Sequence, residues 1–270
     1  MTVAKIITSL TNDRVKAIRA LEMRKVRKET GLFVAEGASL LITARDHGYV
    51  PETLIYQAGT NDAGIVRGLI AWAFKEGAEV LEVSEAVLSK LASKDNPQTV
   101  LGVFKQAFTA PPDAKTVSKS ATWLALEQVR DPGNLGTILR TSDATGVAGV
   151  ILIDQCCDAY SIECIRATMG SIFAVPLVKM ERPAFLALAA AWPGDVIATH
   201  LEATDDFRAV IYRGPELVVM GSEGPGLSAE VVSACTRRVK IPMSGALDSL
   251  NLAIATALTI YQVRGRHLKM

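Results

Sequence analysis

Apolar residues recur along the chain in two rhythms, and the switches between them mark out its elements. From Asn12 or Asp13 to about Lys28, Val15, Ile18, Leu21 and Val26 share one arc at about 100° per residue, while Lys16, Arg19, Arg24, Arg27 and Lys28 fall mostly on the other. This predicts one helix, capped by Asn12 or Asp13, that docks on one side and shows positive charge on the other. Phe33-Val34-Ala35-Glu36-Gly37 reads as a short strand and turn, 38–46 as a helix, 53–56 as a strand, 65–76 as a helix and 79–83 as a strand. Such alternation predicts a small α/β domain.

The prolines and small polar residues from Phe108 to Lys119 interrupt that texture and read as a linker. The expected boundaries are therefore a first domain over 1–107, a linker over 108–120 and a second domain over 121–270. In the second, the strands become longer apolar runs, at 122–127, 149–153, 173–178, 195–199 and 216–220, separated by helical or loop segments. Continuous apolar strands joined by helices imply a mostly parallel sheet covered on both faces. The last long segment, 250–263, is apolar nearly all round and is expected to be a buried helix. No convincing internal repeat is present.

Composition narrows this picture more than it extends it. With 270 residues, 49% of them hydrophobic and 21% charged, a folded globular protein is expected rather than a disordered one. No apolar run reaches the roughly 18 to 20 residues of a membrane helix, and the N-terminus lacks a secretory pattern, so a cytoplasmic location is expected. Cys156, Cys157, Cys164 and Cys235 lack C-x-x-C spacing, and His47, His200 and His267 lie far from them. Bystander thiols are expected, with no metal. The net charge of +1 hides a segregation, because the first thirty residues hold eight basic side chains against three acidic ones. The front of the chain suits an anionic partner.

Three loop-to-helix junctions lie where a parallel sheet puts its ligands, beyond the carboxyl ends of strands. In Asp131-Pro132-Gly133-Asn134-Leu135-Gly136-Thr137-Ile138-Leu139-Arg140, Pro132 and Gly133 make the turn and Asn134 is a natural N-cap; Gly146 is placed to end the helix. Asn134 has two readings, a helix cap and a ligand contact. Arg140, within two turns of the helix start, is a ready phosphate clamp. In Gly221-Ser222-Glu223-Gly224-Pro225-Gly226-Leu227-Ser228, three glycines within six residues let backbone pass close to a ligand, and Ser228 caps the next helix. The order is not the dinucleotide G-x-G-x-x-G, and no phosphate-loop lysine follows. Glu223 has two readings, ordering the loop or meeting a substrate donor. Between Ile241-Pro242-Met243 and Ser249-Leu250-Asn251, a polar loop offers amides and carbonyls to an adenine edge; Ser249 and Asn251, taken singly, are also good helix caps.

Taken together, in this order and spacing, the three segments resemble the SpoU/TrmH family of RNA ribose methyltransferases, with N-x-G-x-x-x-R at Asn134–Arg140, G-x-E-G-x-G at Gly221–Gly226, and I-P-M followed by S-L-N. Asp248 departs from the apolar or neutral residue usual before S-L-N. The first domain resembles the family's small RNA-binding domain more loosely, through Asn12, the basic helix and Phe33–Gly37. The resemblance implies a C-terminal sheet threaded into a trefoil knot, one of the rare exceptions to unknotted topology. It also implies a homodimer and the cofactor S-adenosylmethionine. Gly221, Ile241, Met243 and Leu250 match cofactor-holding positions, and Asn134, Arg140, Glu223, Ser249 and Asn251 match functional ones.

The implied reaction is methyl transfer to a ribose 2'-hydroxyl of structured RNA, with large-subunit ribosomal RNA favoured over transfer RNA. A guanidinium with a pKa above about 12 is a poor base, so Arg140 is expected to fix a substrate phosphate or stabilise developing alkoxide. Arg14, Lys16, Arg24, Arg27 and Lys28 are expected to meet RNA phosphates, with Arg166 a further candidate. A non-catalytic RNA-binding or ribosome-assembly factor on the same fold would carry damaged motifs, and these are intact. A nucleotide-dependent oxidoreductase would carry G-x-G-x-x-G near its first strand, and this chain does not.

Overall fold

A computed structural model of the chain describes residues 3–62, 64–92, 98–247 and 249–268. It divides into two compact units, 1–107 with 158–174, and 108–157 with 175–270.

The first unit is built on strands β1 (Lys5–Ile7), β2 (Leu32–Glu36), β3 (Thr53–Gln57), β4 (Glu79–Val83) and β5 (Val100–Lys105), ordered β1-β4-β3-β5-β2. β4 runs parallel to β1 and β3, and β5 antiparallel to β2 and β3. Helices α1 (Asp13–Ala20), α2 (Arg24–Thr30), α3 (Ala38–Asp46), α4 (Gly64–Lys75) and α5 (Glu85–Leu91) connect and cover them. β1, β5 and α5 add to the elements read from the sequence. Val15, Ile18 and Leu21 pack with Ile55, Leu81, Val83, Val87, Leu88 and Leu101 into one core.

The single basic helix expected over 13–28 is instead two. The chain leaves α1 at Leu21, whose N–H bonds the Ile18 carbonyl at 3.1 Å, and resumes helical form at Arg24. Arg27 accounts for the break, because its Nη1 donates to the Leu21 and Glu22 carbonyls, both at 2.7 Å. Those carbonyls would have been bonded internally in a continuous helix. The same guanidinium pairs with Asp158 at 2.8 Å, with Arg27 only 4% exposed. Arg27 is therefore removed from the expected phosphate-facing set.

Residues 158–174, expected with the second domain, belong to the first unit, where they form α7 (Ile162–Thr168) and a 3-10 turn at Ser171–Phe173. Aromatic packing holds them. The Tyr160 ring centroid lies 4.7 Å from that of Phe33, and Phe173 lies 5.1 Å from Phe104 and 5.0 Å from Tyr49. The Tyr160 hydroxyl donates to the Ala107 carbonyl at 2.7 Å and accepts from the Ala107 N–H at 2.9 Å. The strand expected over 173–178 accordingly starts later, at Leu177, since Phe173 belongs to the aromatic cluster.

The second unit holds β6 (Thr122–Glu127), β7 (Gly149–Ile153), β8 (Leu177–Met180), β9 (Val196–Thr199), β10 (Asp205–Asp206), β11 (Glu216–Met220) and β12 (Arg237–Lys240). The order is β10-β12-β9-β11-β6-β7-β8, and neighbouring strands pair in parallel. Helices α6 (Pro132–Thr145), α8 (Arg182–Ala191), α9 (Ala229–Ala234) and α10 (Leu252–Arg264) join them. The chain moves outward from β6 to β8, then crosses over to build the other half, with β11 set against β6. This is a topological switch point, where a crevice opens beyond the carboxyl ends of the strands. The expected linker belongs to this unit, with Thr109 N–H bonding the Leu177 carbonyl at 2.7 Å.

α10 is not buried all round, contrary to its composition. Leu252, Ala253, Thr256, Ile260 and Val263 are buried, but Ile254, Leu258 and Tyr261 are 52%, 43% and 50% exposed and share a stripe at i, i+4 and i+7. Among the described residues, no helix is long and apolar enough to cross a membrane.

Candidate active site

The loop after β6 enters α6 through a cap that differs from the expected one. Asp131, not Asn134, is the N-cap, its carboxylate accepting the Asn134 N–H at 2.6 Å, with Pro132 in the first turn. The Asn134 side chain is thereby free of capping and points its amide elsewhere. Gly146 ends the helix at φ 67°, as expected.

β11 delivers the glycine loop. The Gly226 N–H bonds the Ser222 carbonyl at 3.0 Å, folding the loop back over Gly221. A Cβ on Gly221 would fall 2.2 Å from the Gly226 carbonyl carbon and 2.4 Å from Leu227 N, both backbone atoms, so this position admits no side chain. Ser228 then caps α9 as expected, accepting from Val231 N–H at 3.4 Å.

Glu223, carried by that loop, is where the three segments meet. Its Oε1 accepts from Asn134 Nδ2 at 2.6 Å, from Asn251 Nδ2 at 3.2 Å and from the Leu252 N–H at 3.4 Å. Asn251 Nδ2 also donates to Asn134 Oδ1 at 3.0 Å, while its own Oδ1 caps α10 through the Ala253 and Ile254 N–H groups at 2.9 and 3.3 Å. One carboxylate at the positive end of a helix thus gathers two amides and ties the start of α10 to the start of α6.

Between β12 and α10 the described residues have no regular hydrogen-bonded structure, so their amides and carbonyls stay available to a ligand. Ile241 is half-buried, Met243 and Leu250 are about a third exposed, and Ser249 is exposed. Asp248 lies outside the described residues. Arg140 stands apart, six residues beyond Asn134 and so about 9 Å further along the helix axis. It is exposed, and among the described residues its guanidinium has no protein partner.

The expected RNA-facing residues separate into groups. Arg27 is buried, whereas the other five are exposed: Arg14 bonds Glu79 and Thr53 and Lys16 pairs with Asp13 at 3.1 Å at the surface, and Arg24 and Lys28 on α2 and Arg166 on α7 are exposed as well. Cys156 donates to the Leu126 and Ile153 carbonyls, and burial raises its thiol above the ordinary range. Burial likewise pushes Cys235 up to about 12. Both thiols are held protonated near neutrality.

A group absent from the sequence reading surrounds the carboxyl ends of β6 and β7. Glu127, 2% exposed, accepts from Ser228, while Asp154 accepts from Arg182. The available signal was an acid closing an otherwise apolar strand, where a buried charge requires partners.

An open parallel sheet with three loops joined at its switch point defines an α/β enzyme that holds a ligand at the carboxyl edge of the sheet. Residues 121–261 match the SpoU rRNA Methylase family and residues 12–102 an MRM3-like substrate binding domain. The chain is 35% identical to an uncharacterized tRNA/rRNA methyltransferase of Synechocystis, over 96% of this chain and 93% of that one. It is 29% identical to the 23S rRNA (guanosine(2553)-2'-O)-methyltransferase RlmP of Bacillus subtilis, over 97% and 100% of the two chains. The crystal structure of an AdoMet-bound rRNA methyltransferase from Sinorhizobium meliloti superposes with a TM-score of 0.90 at 41% identity, covering 98% of this chain and 99% of that one. The chain belongs to the SpoU rRNA methylase family.

Proposed function

We propose that the protein is an RNA methyltransferase that methylates a ribose 2'-hydroxyl of large-subunit ribosomal RNA with S-adenosylmethionine, acting in the cytoplasm. The observation that carries this reading is the Asn134–Glu223–Asn251 cluster, which joins the three family motifs at the switch point of the sheet. The relatives named as rRNA 2'-O-methyltransferases and the AdoMet-bound structural neighbour support the same assignment.

The residues present suit this cofactor. Gly221, bare because its loop folds back on it, leaves backbone as the only surface there, and the irregular stretch after β12 offers further amides and carbonyls beside Ile241, Met243 and Leu250. These four residues would hold the cofactor, by apolar contact and main-chain hydrogen bonds to its adenine edge. When bound, S-adenosylmethionine supplies an electrophilic methyl on a sulfonium. The chain's own residues then have to orient the hydroxyl and remove its proton. Asn134 and Glu223 position the ribose and the glycine loop, and Ser249 and Asn251 shape the loop facing the reaction. Arg140, permanently cationic, fixes a substrate phosphate or stabilises the developing alkoxide rather than acting as a base. Arg14, Lys16, Arg24, Lys28 and Arg166 supply phosphate contacts. The knotted threading of the C-terminal segment belongs to this reading.

A homodimer is also part of it. The exposed stripe of Ile254, Leu258 and Tyr261 is an apolar face of the kind that a second copy covers. Light scattering after size exclusion is expected to give twice the chain mass, and Leu258→Glu the monomer.

The direct test incubates the protein with methyl-labelled S-adenosylmethionine and unmodified ribosomal or transfer RNA, followed by nuclease mapping and mass spectrometry. Label on a ribose of 23S rRNA is the expected result. Label on a base, or exclusively in transfer RNA, refutes the substrate assignment. Arg140→Ala is expected to abolish transfer while leaving cofactor affinity nearly intact.

A further inference from the structure

The loop Gly221–Ser228 is fixed at its start by β11 and in its middle by Glu223, which leaves the question of what holds its downstream end. That end is Ser228, and its N–H and Oγ both donate to one residue, reaching Glu127 Oε2 and Oε1 at 2.7 Å each. Glu127 is the last residue of β6, two positions after the buried Ala125. A buried carboxylate, here 2% exposed, needs a compensating charge, and Arg182 supplies it as an ion pair, its Nε 3.2 Å from the same Oε1 that accepts from the Ser228 hydroxyl.

Arg182 is itself immobilised. Its backbone N–H and Nη2 donate to the two Asp154 oxygens, each at 2.7 Å, and its Nη1 reaches Glu230 at 3.2 Å. The backbone around this assembly is strained in a matching way, since Gln128 and Asp154, at the ends of β6 and β7, are left-handed at φ 52° and 55°. Non-glycine residues persist in that region where surrounding contacts over-determine them, and such residues gather at functional sites.

We propose that Glu127 is a positioning residue for the cofactor loop, clamping Ser228 so that Gly221 and Glu223 are held in their binding and reacting positions. The proposal rests on the reading that this loop holds S-adenosylmethionine. In this role Glu127 acts through Ser228 and not by contact with cofactor or RNA. Its loss lets the downstream half of the loop sample other conformations, so cofactor binding must then select the competent fraction.

The test uses the full-length protein, with S-adenosylmethionine affinity from calorimetry and with kcat and the two KM values from transfer to rRNA. Glu127→Ala and Ser228→Ala are each expected to weaken cofactor affinity by about tenfold, the loss of a charge-assisted clamp. KM for RNA should change by less than about twofold, a split that general destabilisation does not produce. Glu127→Gln keeps an acceptor for the Ser228 N–H and should fall between the parent and Glu127→Ala; it carries the test if the alanine variant does not fold. The double variant Glu127→Ala/Ser228→Ala should bind no more weakly than the weaker single variant. Glu216→Ala, which removes a buried carboxylate from the opposite end of the sheet, is the stability control and should bind cofactor like the parent. Parent-like affinity in Glu127→Gln, Glu127→Ala and Ser228→Ala, beside weakened binding in Gly221→Ala, overturns the proposal alone. Parent-like affinity in Gly221→Ala overturns the loop reading and the proposal with it.

Discussion

Arg27 separates a structural from an RNA-contacting role, and the two give opposite results in one experiment. Its guanidinium pairs with Asp158 at 2.8 Å, with side-chain exposures of 5% and 16%, and also closes the Leu21 and Glu22 carbonyls at the break between α1 and α2. Arg27→Met keeps most of the aliphatic volume but leaves Asp158 charged and unpaired away from water. Removing one partner of a buried pair costs about 3–5 kcal/mol. At about 2–4 °C per kcal/mol for a chain of this size, the midpoint should fall by about 6–20 °C. Asp158→Asn retains an acceptor and is expected to lose less. Because each single variant strands the other member of the pair and the double variant strands neither, the double variant should be more stable than the sum of the two losses predicts. The assay is thermal unfolding by circular dichroism, paired with filter binding to rRNA at fixed salt well below the midpoint. The structural account requires lower stability with RNA affinity nearly that of the parent. An Arg27→Met protein with parental stability and a weakened, less salt-dependent RNA affinity refutes it and returns Arg27 to the phosphate-facing set.

Other residues give further tests. Burial raises the Glu216 carboxyl above its ordinary range, against the opposing effects of the Thr122 hydrogen bond and Arg266, so the fold favours the protonated form. Its contribution to stability is therefore lost as pH rises through the folded pKa, and Glu216→Gln should gain on the parent in denaturant titrations as pH rises above the ordinary carboxylate range. An advantage that shrinks with pH refutes the assignment. Burial also raises Glu79, but hydrogen bonds from Lys5 and Arg14 outweigh it and leave the pKa lowered. That contribution is present above the unfolded pKa and disappears on acidification, so Glu79→Gln should flatten the stability profile between about pH 5 and about pH 3. Tyr160→Phe strands the Ala107 N–H and carbonyl and should cost about 1–3 kcal/mol in urea unfolding. Gly221→Ala cannot place its methyl 2.2 Å from the Gly226 backbone without moving the loop, and should lose cofactor binding while keeping its far-ultraviolet spectrum.

The parts of this structure that were legible in the sequence share one property, and so do the parts that were not. β6, β7 and β11 can be read to the residue, because a strand buried on both faces must be apolar at successive positions and the run ends where burial ends. The three motif loops were legible for the same local reason, since glycines, caps and strand ends occur together along the chain. What failed were polar and aromatic residues whose partners are remote. Arg27 looked solvated because Asp158 is 131 residues away, and Glu127 drew no notice because Ser228 is 101 residues away. A local reading assigns such a side chain to solvent or to the nearest helix end, the cheapest places for an unpaired polar group. Asn134 shows the cost of that habit. Read locally, it caps α6 and its side chain is spent; in the structure Asp131 takes the cap, and the freed amide reaches Glu223 across 89 residues of sequence. Asn134, which the motif marks as functional and a purely local reading gives to the cap, joins the site because a neighbour three positions earlier does the capping. The same substitution of roles explains α10, whose apolar composition was read as burial within one chain. The stripe of Ile254, Leu258 and Tyr261 keeps part of that composition on an exposed face, because apolar content counts residues and not the direction in which each points around the helix.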